Sequence, residues 1–424
     1  MGETGGDVSA PLDDAHAVFR RWLGDDYDID AADAMMATVA AERLDGDPLW
    51  LLIVSGPGNA KTETVQAASG IGAIVTSTIS SDAGLLSATP KKERAKNATG
   101  GLLRLLEPRG ILVVKDVTSI LSMDRNLRAA VPAALREVHD GSWYRDVGTD
   151  GGQRLQWNGR IAVIGAVTTA WDAAHSVVST MGDRFVLIRV DSTAGRMAAG
   201  RKAISNTGDE TTMRAELADA VAQVITGTDN NAITLTDIES DRILEAADLV
   251  TLARTGVEYD YRGEVIDAHA PEMPTRFAKQ LAQVVRGAVA IGMDRTDALR
   301  LAIRCARDSM PPLRLLIIDD LVNHRDSTAS DVRKVSGQVI EFELVELGLQ
   351  SLVLSVVIWR GNPTSAPSRR TTFGIRQYRR LGLRYAYCAH DLVGDGLPFG
   401  IPYRPQVADE AQLLIDVVRD LTQH

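Results

Sequence analysis

A chain of 424 residues is long enough for two or three domains, and a formal net charge of −10 excludes a protein coated in basic surface, so any nucleic-acid contact has to be local. With 45% hydrophobic and 24% charged residues the mixture is that of a globular protein, neither disordered nor fibrous. Two cysteines, Cys305 and Cys388, exclude a disulfide scaffold and a cysteine-based zinc module, and suit a reducing, cytoplasmic setting.

The first residues, Met1 to Pro11, are rich in Gly, carry Glu3 and Asp7, and lack the apolar centre of a signal peptide. Residues 12–47 read as helical, with Ala15, Val18, Phe19 and Trp22 at helical spacing. Trp50-Leu51-Leu52-Ile53-Val54 is then a continuous apolar run of strand length, ended by a Gly-rich turn, with a helix expected from Lys61. Further strands are expected at Ile71 to Ile79, Ile111 to Val114, Ile161 to Val167 and Phe185 to Val190, with a helix at Leu127 to Val138. This order predicts an α/β domain built on a parallel five-stranded sheet. Residues 196–235 read as a polar connection of helix and loop, and 236–310 as helical throughout, with amphipathic segments at 238–254 and 275–291.

The turn after the first strand is Ser55-Gly56-Pro57-Gly58-Asn59-Ala60-Lys61-Thr62. A phosphate loop needs backbone N–H groups converging on one point, a lysine to reach the β- and γ-phosphates, and a hydroxyl for Mg²⁺. Gly56 and Gly58 permit close backbone approach, Lys61 supplies the charge and Thr62 the hydroxyl. Ser55 and Ala60 stand where the pattern G-x-x-x-x-G-K-[ST] has glycine. The plain alternative is a Gly/Pro turn with an incidental Lys-Thr, but strand before and helix after favour the phosphate cradle, Gly56 through Thr62.

The acid that helps hold Mg²⁺ in P-loop enzymes ends a second strand. Here Gly110-Ile111-Leu112-Val113-Val114 runs into Lys115-Asp116. Either Asp116 takes the metal position with one residue of slip, or it takes the general-base position and Lys115 adds positive charge beside the phosphates. Nucleotide binding is thus expected more firmly than fast hydrolysis.

With these residues in hand the chain resembles the AAA+ P-loop ATPases. Leu135-Arg136-Glu137-Val138-His139-Asp140-Gly141-Ser142 through Gly148, then Gln153 to Trp157 and the strand Ile161 to Val167, resemble the hairpin that precedes sensor 1. That insertion is found in bacterial enhancer-binding activators, minichromosome maintenance helicases and magnesium-chelatase-type ATPases. The resemblance covers about 50 to 310. It implies a nucleotide core over 49–195 after an N-terminal helical segment 1–48, a connection 196–235 and an all-α lid 236–310. It implies ATP and Mg²⁺ as cofactors and a homo-oligomeric ring. Thr168 or Thr169 matches sensor 1, Arg184 the arginine finger that reaches a neighbour's nucleotide, and Arg276 sensor 2. The activators' polymerase-gripping loop is replaced by Leu85 to Lys96. Its basic cluster Lys91, Lys92, Arg94 and Lys96 reads either as a pore loop for nucleic-acid phosphates or as a solvated helix face.

Residues 311–350 read as a helix-turn-helix or winged-helix beginning, a pattern shared by many helix pairs. Residues 351–424 are of uncertain structure. The longest apolar run, Leu347 to Trp359, is shorter than the roughly 20 residues of a membrane helix. From Leu347 to His390 there is no Asp or Glu but seven arginines, among them Arg369, Arg370, Arg379 and Arg380. Two readings stand, a nucleic-acid-binding segment or out-of-frame translation. The functional expectation is an ATPase acting on DNA or a DNA-bound complex. Its rivals are an ATP-driven protein chaperone and a nucleotide-gated DNA-binding regulator with little or no hydrolysis.

Overall fold

The computed structural model describes residues 10–323 apart from 90–95, 97, 107, 124, 149–151, 173–183, 192, 194, 229–232, 260–264, 269 and 271. Two compact units are formed, one from Met1–Glu239 with Lys279–Cys305, the other from Ser240–Ala278 with the chain after Ala306. The winged-helix expectation beyond residue 323 and the arginine-rich segment lie outside the described residues.

The first unit is α/β. Its strands are β1 (Trp50–Val54), β2 (Ile74–Thr76), β3 (Arg109–Val114), β6 (Arg160–Val167) and β7 (Val186–Arg189), all parallel, in the order β2-β3-β6-β1-β7. Between β3 and β6 an antiparallel hairpin, β4 (Ser142–Val147) and β5 (Gln153–Asn158), pairs Trp143 with Trp157. The hairpin thus stands where the sequence placed it.

Every residue of β1 is buried, as a central parallel strand requires. Side chains alternate. Trp50, Leu52 and Val54 join a core with Leu112, Val163 and Leu187, capped by Val131, Leu135 and Val138 of helix Arg125–His139 and by the two hairpin tryptophans.

The opposite face is covered by a helix from the N-terminal segment, so that segment is part of the sheet's core. α1 (Ala10–Leu23) leads into α2 (Ile29–Arg43), in which Asp30 through Glu42 are all buried. Its end is tied to the strand starts: Arg160 Nη1 donates to Glu42 Oε2 at 2.6 Å, and Arg109 Nε donates to Glu42 Oε1 at 3.1 Å. Its beginning is tied to the strand ends, because Arg304 Nη1 donates to Asp30 Oδ2 at 2.7 Å while its Nη2 donates to the carbonyl of Arg189. α2 therefore runs antiparallel to the strands beneath it. Alanines make this fit: Ala31, Ala32, Ala34, Ala37, Ala40 and Ala41 leave room for close neighbours. One neighbour is Gly287, where a Cβ would lie 2.1 Å from the Ala37 carbonyl oxygen.

Two expectations are corrected. Ile71 to Ile79 yields only three strand residues, since Ala67–Ile71 coils as a 3-10 turn that Gly72 ends at φ +80°. The stretch expected to be helical throughout, 236–310, carries a two-stranded ribbon of Val257–Tyr259 and Val265–Ala268 in the second unit, so it is not all α. In chain order the helices from here on are Asp237–Ala253, Thr275–Ala290, Arg295–Asp308 and Pro312–Asn323.

Candidate functional site

Chain order locates the site before any side chain is considered. The connection from β1 leads to the far edge at β2. Later strands return, β3 then β6, and the chain then passes β1 to reach β7. With right-handed crossovers the connections leave β1 and β6 toward opposite faces, so a crevice opens at their carboxyl ends. The predicted loop begins there. Ser55 N–H donates to the carbonyl of Val167, the last residue of β6, at 3.2 Å.

The loop has an unusual backbone for its residues. Gly58 sits at φ +83°, and Ala60 at φ +52°, the only non-glycine residue with positive φ among the described residues. Ala60 thus holds the left-handed conformation for which glycine is the natural choice. It is nevertheless the position from which the helix Lys61–Gln66 starts, and its carbonyl accepts from Thr64 N–H at 2.9 Å and Thr64 Oγ1 at 3.0 Å. Asn59 Nδ2 pins the loop to the carbonyl of Asp191 at 3.1 Å, and Tyr27 meets the Thr64 hydroxyl at 2.8 Å.

Lys61 folds back along the loop and donates from Nζ to the Gly56 carbonyl at 3.0 Å. Burial lowers the pKa of its ammonium, and the negative charge of Asp116 opposes that shift. Asp116 therefore stands close enough to Lys61 to act on it. Its backbone continues the sheet edge, with Lys115 N–H donating to Thr76 O at 2.9 Å and Asp116 N–H to Ser77 O at 3.0 Å.

Thr168 follows β6 at the same edge and bonds to Thr118, which the sequence reading had not singled out. Thr169 is the next residue and is exposed. The fold thus gathers Gly56, Pro57, Gly58, Asn59, Ala60, Lys61, Thr62, Asp116 and the Thr168–Thr169 pair at one edge. Tyr27 and Thr118 carry no motif. Only the fold puts them here.

No group of three His, Cys, Asp or Glu side chains suited to a metal occurs among the described residues. Mg²⁺ carried in on phosphates needs only one or two protein oxygens to complete its shell. Thr62 and Asp116 are the residues that would supply those oxygens, and the ion would neutralise phosphate charge.

Arg184 lies elsewhere. It precedes β7 by two residues, and Val186 pairs with Leu51 near the start of β1, so Arg184 is at the amino edge of the sheet. Its side chain is 10% exposed and donates from Nη2 to Asp140 Oδ2 at 3.0 Å, while its carbonyl accepts from Gln280 Nε2. Burial acts to raise the Asp140 carboxyl pKa, but the bond from Arg184 holds it below the usual carboxylate range. Arg276 belongs to the second unit, where it donates to Glu272 at 3.1 Å beside Arg254, which donates to the same carboxylate at 2.7 Å. Of the basic cluster, Lys91, Lys92 and Arg94 lie outside the described residues, and Lys96 is exposed.

No helix of the described residues is long and apolar enough to cross a membrane. No family model matches the chain, and no curated protein matches it either.

Proposed function

We propose that the chain is a P-loop nucleotide-binding protein of AAA+ type that binds ATP with Mg²⁺ at the carboxyl edge of its parallel sheet. One observation carries the reading. Lys61 and Asp116, far apart in sequence, are electrostatically coupled at the reversal point of the strand order, beside a loop whose glycines and left-handed Ala60 open its backbone. A lysine for phosphate oxygens and a carboxylate for the phosphate-bound metal is the pair such chemistry needs.

Arg184 supports oligomeric action within this proposal. It sits at the edge opposite its own loop, so it serves catalysis only at a neighbour's nucleotide. The proposed work is remodelling of DNA or a DNA-bound complex by a ring. A second reading, a nucleotide-gated regulator that hydrolyses slowly, is favoured by the strained Ala60 and by Lys115 in place of a second acid. Equilibrium binding of fluorescent ATP with and without Mg²⁺ tests the core claim. Lys61→Ala should weaken binding at least tenfold, and Asp116→Asn should abolish the Mg²⁺ dependence. Equal affinities in all three proteins would sink it.

A further inference from the structure

The loop after β3 carries Thr118, and the loop after β6 carries Thr168. The two residues form a closed exchange of hydrogen bonds. Thr168 N–H donates to Thr118 Oγ1 at 3.0 Å. Thr118 Oγ1–H donates back to Thr168 Oγ1 at 3.3 Å. Ala170 N–H donates to the same Thr168 Oγ1 at 3.4 Å.

A hydroxyl has one proton and two lone pairs. Thr168 Oγ1 accepts twice, so both lone pairs are engaged. Its proton has no acceptor among the described residues and lies at the carboxyl edge with Lys61 and Asp116. We propose that Thr118 is a positioning residue that fixes the Thr168 hydroxyl as a hydrogen-bond donor, so that Thr168 reads the presence of a terminal phosphate oxygen. The proposal rests on the nucleotide reading above, in which Thr168 matches sensor 1; what it adds is Thr118 as the residue that sets the polarity of that hydroxyl.

The polarity matters chemically. A phosphate oxygen only accepts, so a fixed donor fits it. An attacking water must give up a proton, and a hydroxyl with both lone pairs engaged has no means of taking one. Thr168 is therefore a sensor of the phosphate and not an activator of water. Thr118 approaches no ligand and acts through Thr168.

The test compares affinities of the full-length protein for ATPγS and ADP, both with Mg²⁺, in wild type, Thr118→Val, Thr118→Ser, Thr168→Val and the double variant Thr118→Val/Thr168→Val. Thr118→Val keeps the shape and removes the hydroxyl. The expected result is a fall of about tenfold in its ATPγS-to-ADP preference, the scale of one hydrogen bond to a charged group, with ADP affinity unchanged. Thr118→Ser should restore the preference. Thr168→Val should lose as much alone as the double variant does, because the two act as one unit. Should Thr118→Val fail to fold, Thr118→Ser and Thr168→Val still decide. A wild type that discriminates while Thr168→Val, or a folded Thr118→Val, keeps its preference within twofold overturns the proposal alone. Loss of the preference in Thr118→Ser does so too. A wild type that binds neither nucleotide defeats the nucleotide reading and this proposal with it.

Discussion

Arg184 and Asp140 form a buried-to-surface ion pair, Nη2 to Oδ2 at 3.0 Å, at the edge of the sheet opposite the phosphate loop. Under the proposed function, an arginine so placed lies away from its own chain's nucleotide, since β1 separates the two edges. Arg184→Ala and Lys61→Ala should each lose turnover, by about a thousandfold for the arginine. Mixed together, the two inactive variants should regain part of it, because a mixed interface joins an intact loop to an intact Arg184. A mixture as inactive as its components would remove Arg184 from catalysis.

Ala60 holds φ +52° in the loop, a conformation that costs an alanine about 1 kcal/mol or more and a glycine almost nothing. Ala60→Gly should raise the unfolding midpoint by roughly 2–4 °C and bring ATP affinity up with it. Ala60→Val, with a branched side chain in the same backbone, should lower both. Thermal melts and nucleotide titrations of the two variants check the sign.

Gly287 lets its helix touch α2. A Cβ there would meet the Ala37 carbonyl oxygen at 2.1 Å and the Ala37 Cα at 3.1 Å, both backbone atoms with nowhere to go. Gly287→Ala should therefore destabilise by about 1–3 kcal/mol, although alanine is the better helix former. Urea unfolding monitored by tryptophan fluorescence measures it. An unchanged midpoint would mean that the two helices do not meet in this way.

Helix Asp237–Ala253 starts with a reciprocal cap: Thr236 N–H donates to Glu239 Oε2 at 2.7 Å and Glu239 N–H to Thr236 Oγ1 at 3.2 Å. Arg295 adds a bond of 2.9 Å to Glu239 Oε1. Chiefly through Arg295, the Glu239 carboxyl pKa falls from its ordinary 4.5 to about 2. Because the folded pKa is the lower one, the stabilisation is complete above pH 4.5 and is lost as pH falls toward 2. Thermal midpoints of wild type and Glu239→Gln should differ most at neutral pH and converge in that window. A gap that stays constant down to pH 2 would refute the assignment.

Much of the core was readable in the sequence. The apolar runs at Trp50 to Val54 and Ile161 to Val167 are continuous and of strand length, which is what a strand buried on both faces demands. The hairpin was legible through its resemblance to the insertion before sensor 1, and Trp143 and Trp157 face each other in it. The strand at Ile74 was blurred because Gly70 and Gly72 break the run. α2 was legible as a helix, but its place in the core was not. Its Asp30, Asp33 and Glu42 are each buried against a partner remote in sequence: Arg300 and Arg304, His16, and Arg160. The loop Ser55 to Thr62, Asp116 and Thr168 could be singled out because their patterns are local. Thr118 could not, since it meets Thr168 only when two strand ends come together.

The tie between α2 and the helices near Gly287, Arg300 and Arg304 also sets an order of events during synthesis. A ribosome completes α2 early, then adds roughly 250 residues before its partners exist, on the order of tens of seconds at ordinary elongation rates. Throughout that interval the side of α2 that will meet Gly287, Arg300 and Arg304 remains uncovered, although the strands on its other side are made earlier. The nascent chain therefore invites chaperone capture at that side of α2, and a truncation before Gly287 releases a protein that still exposes it.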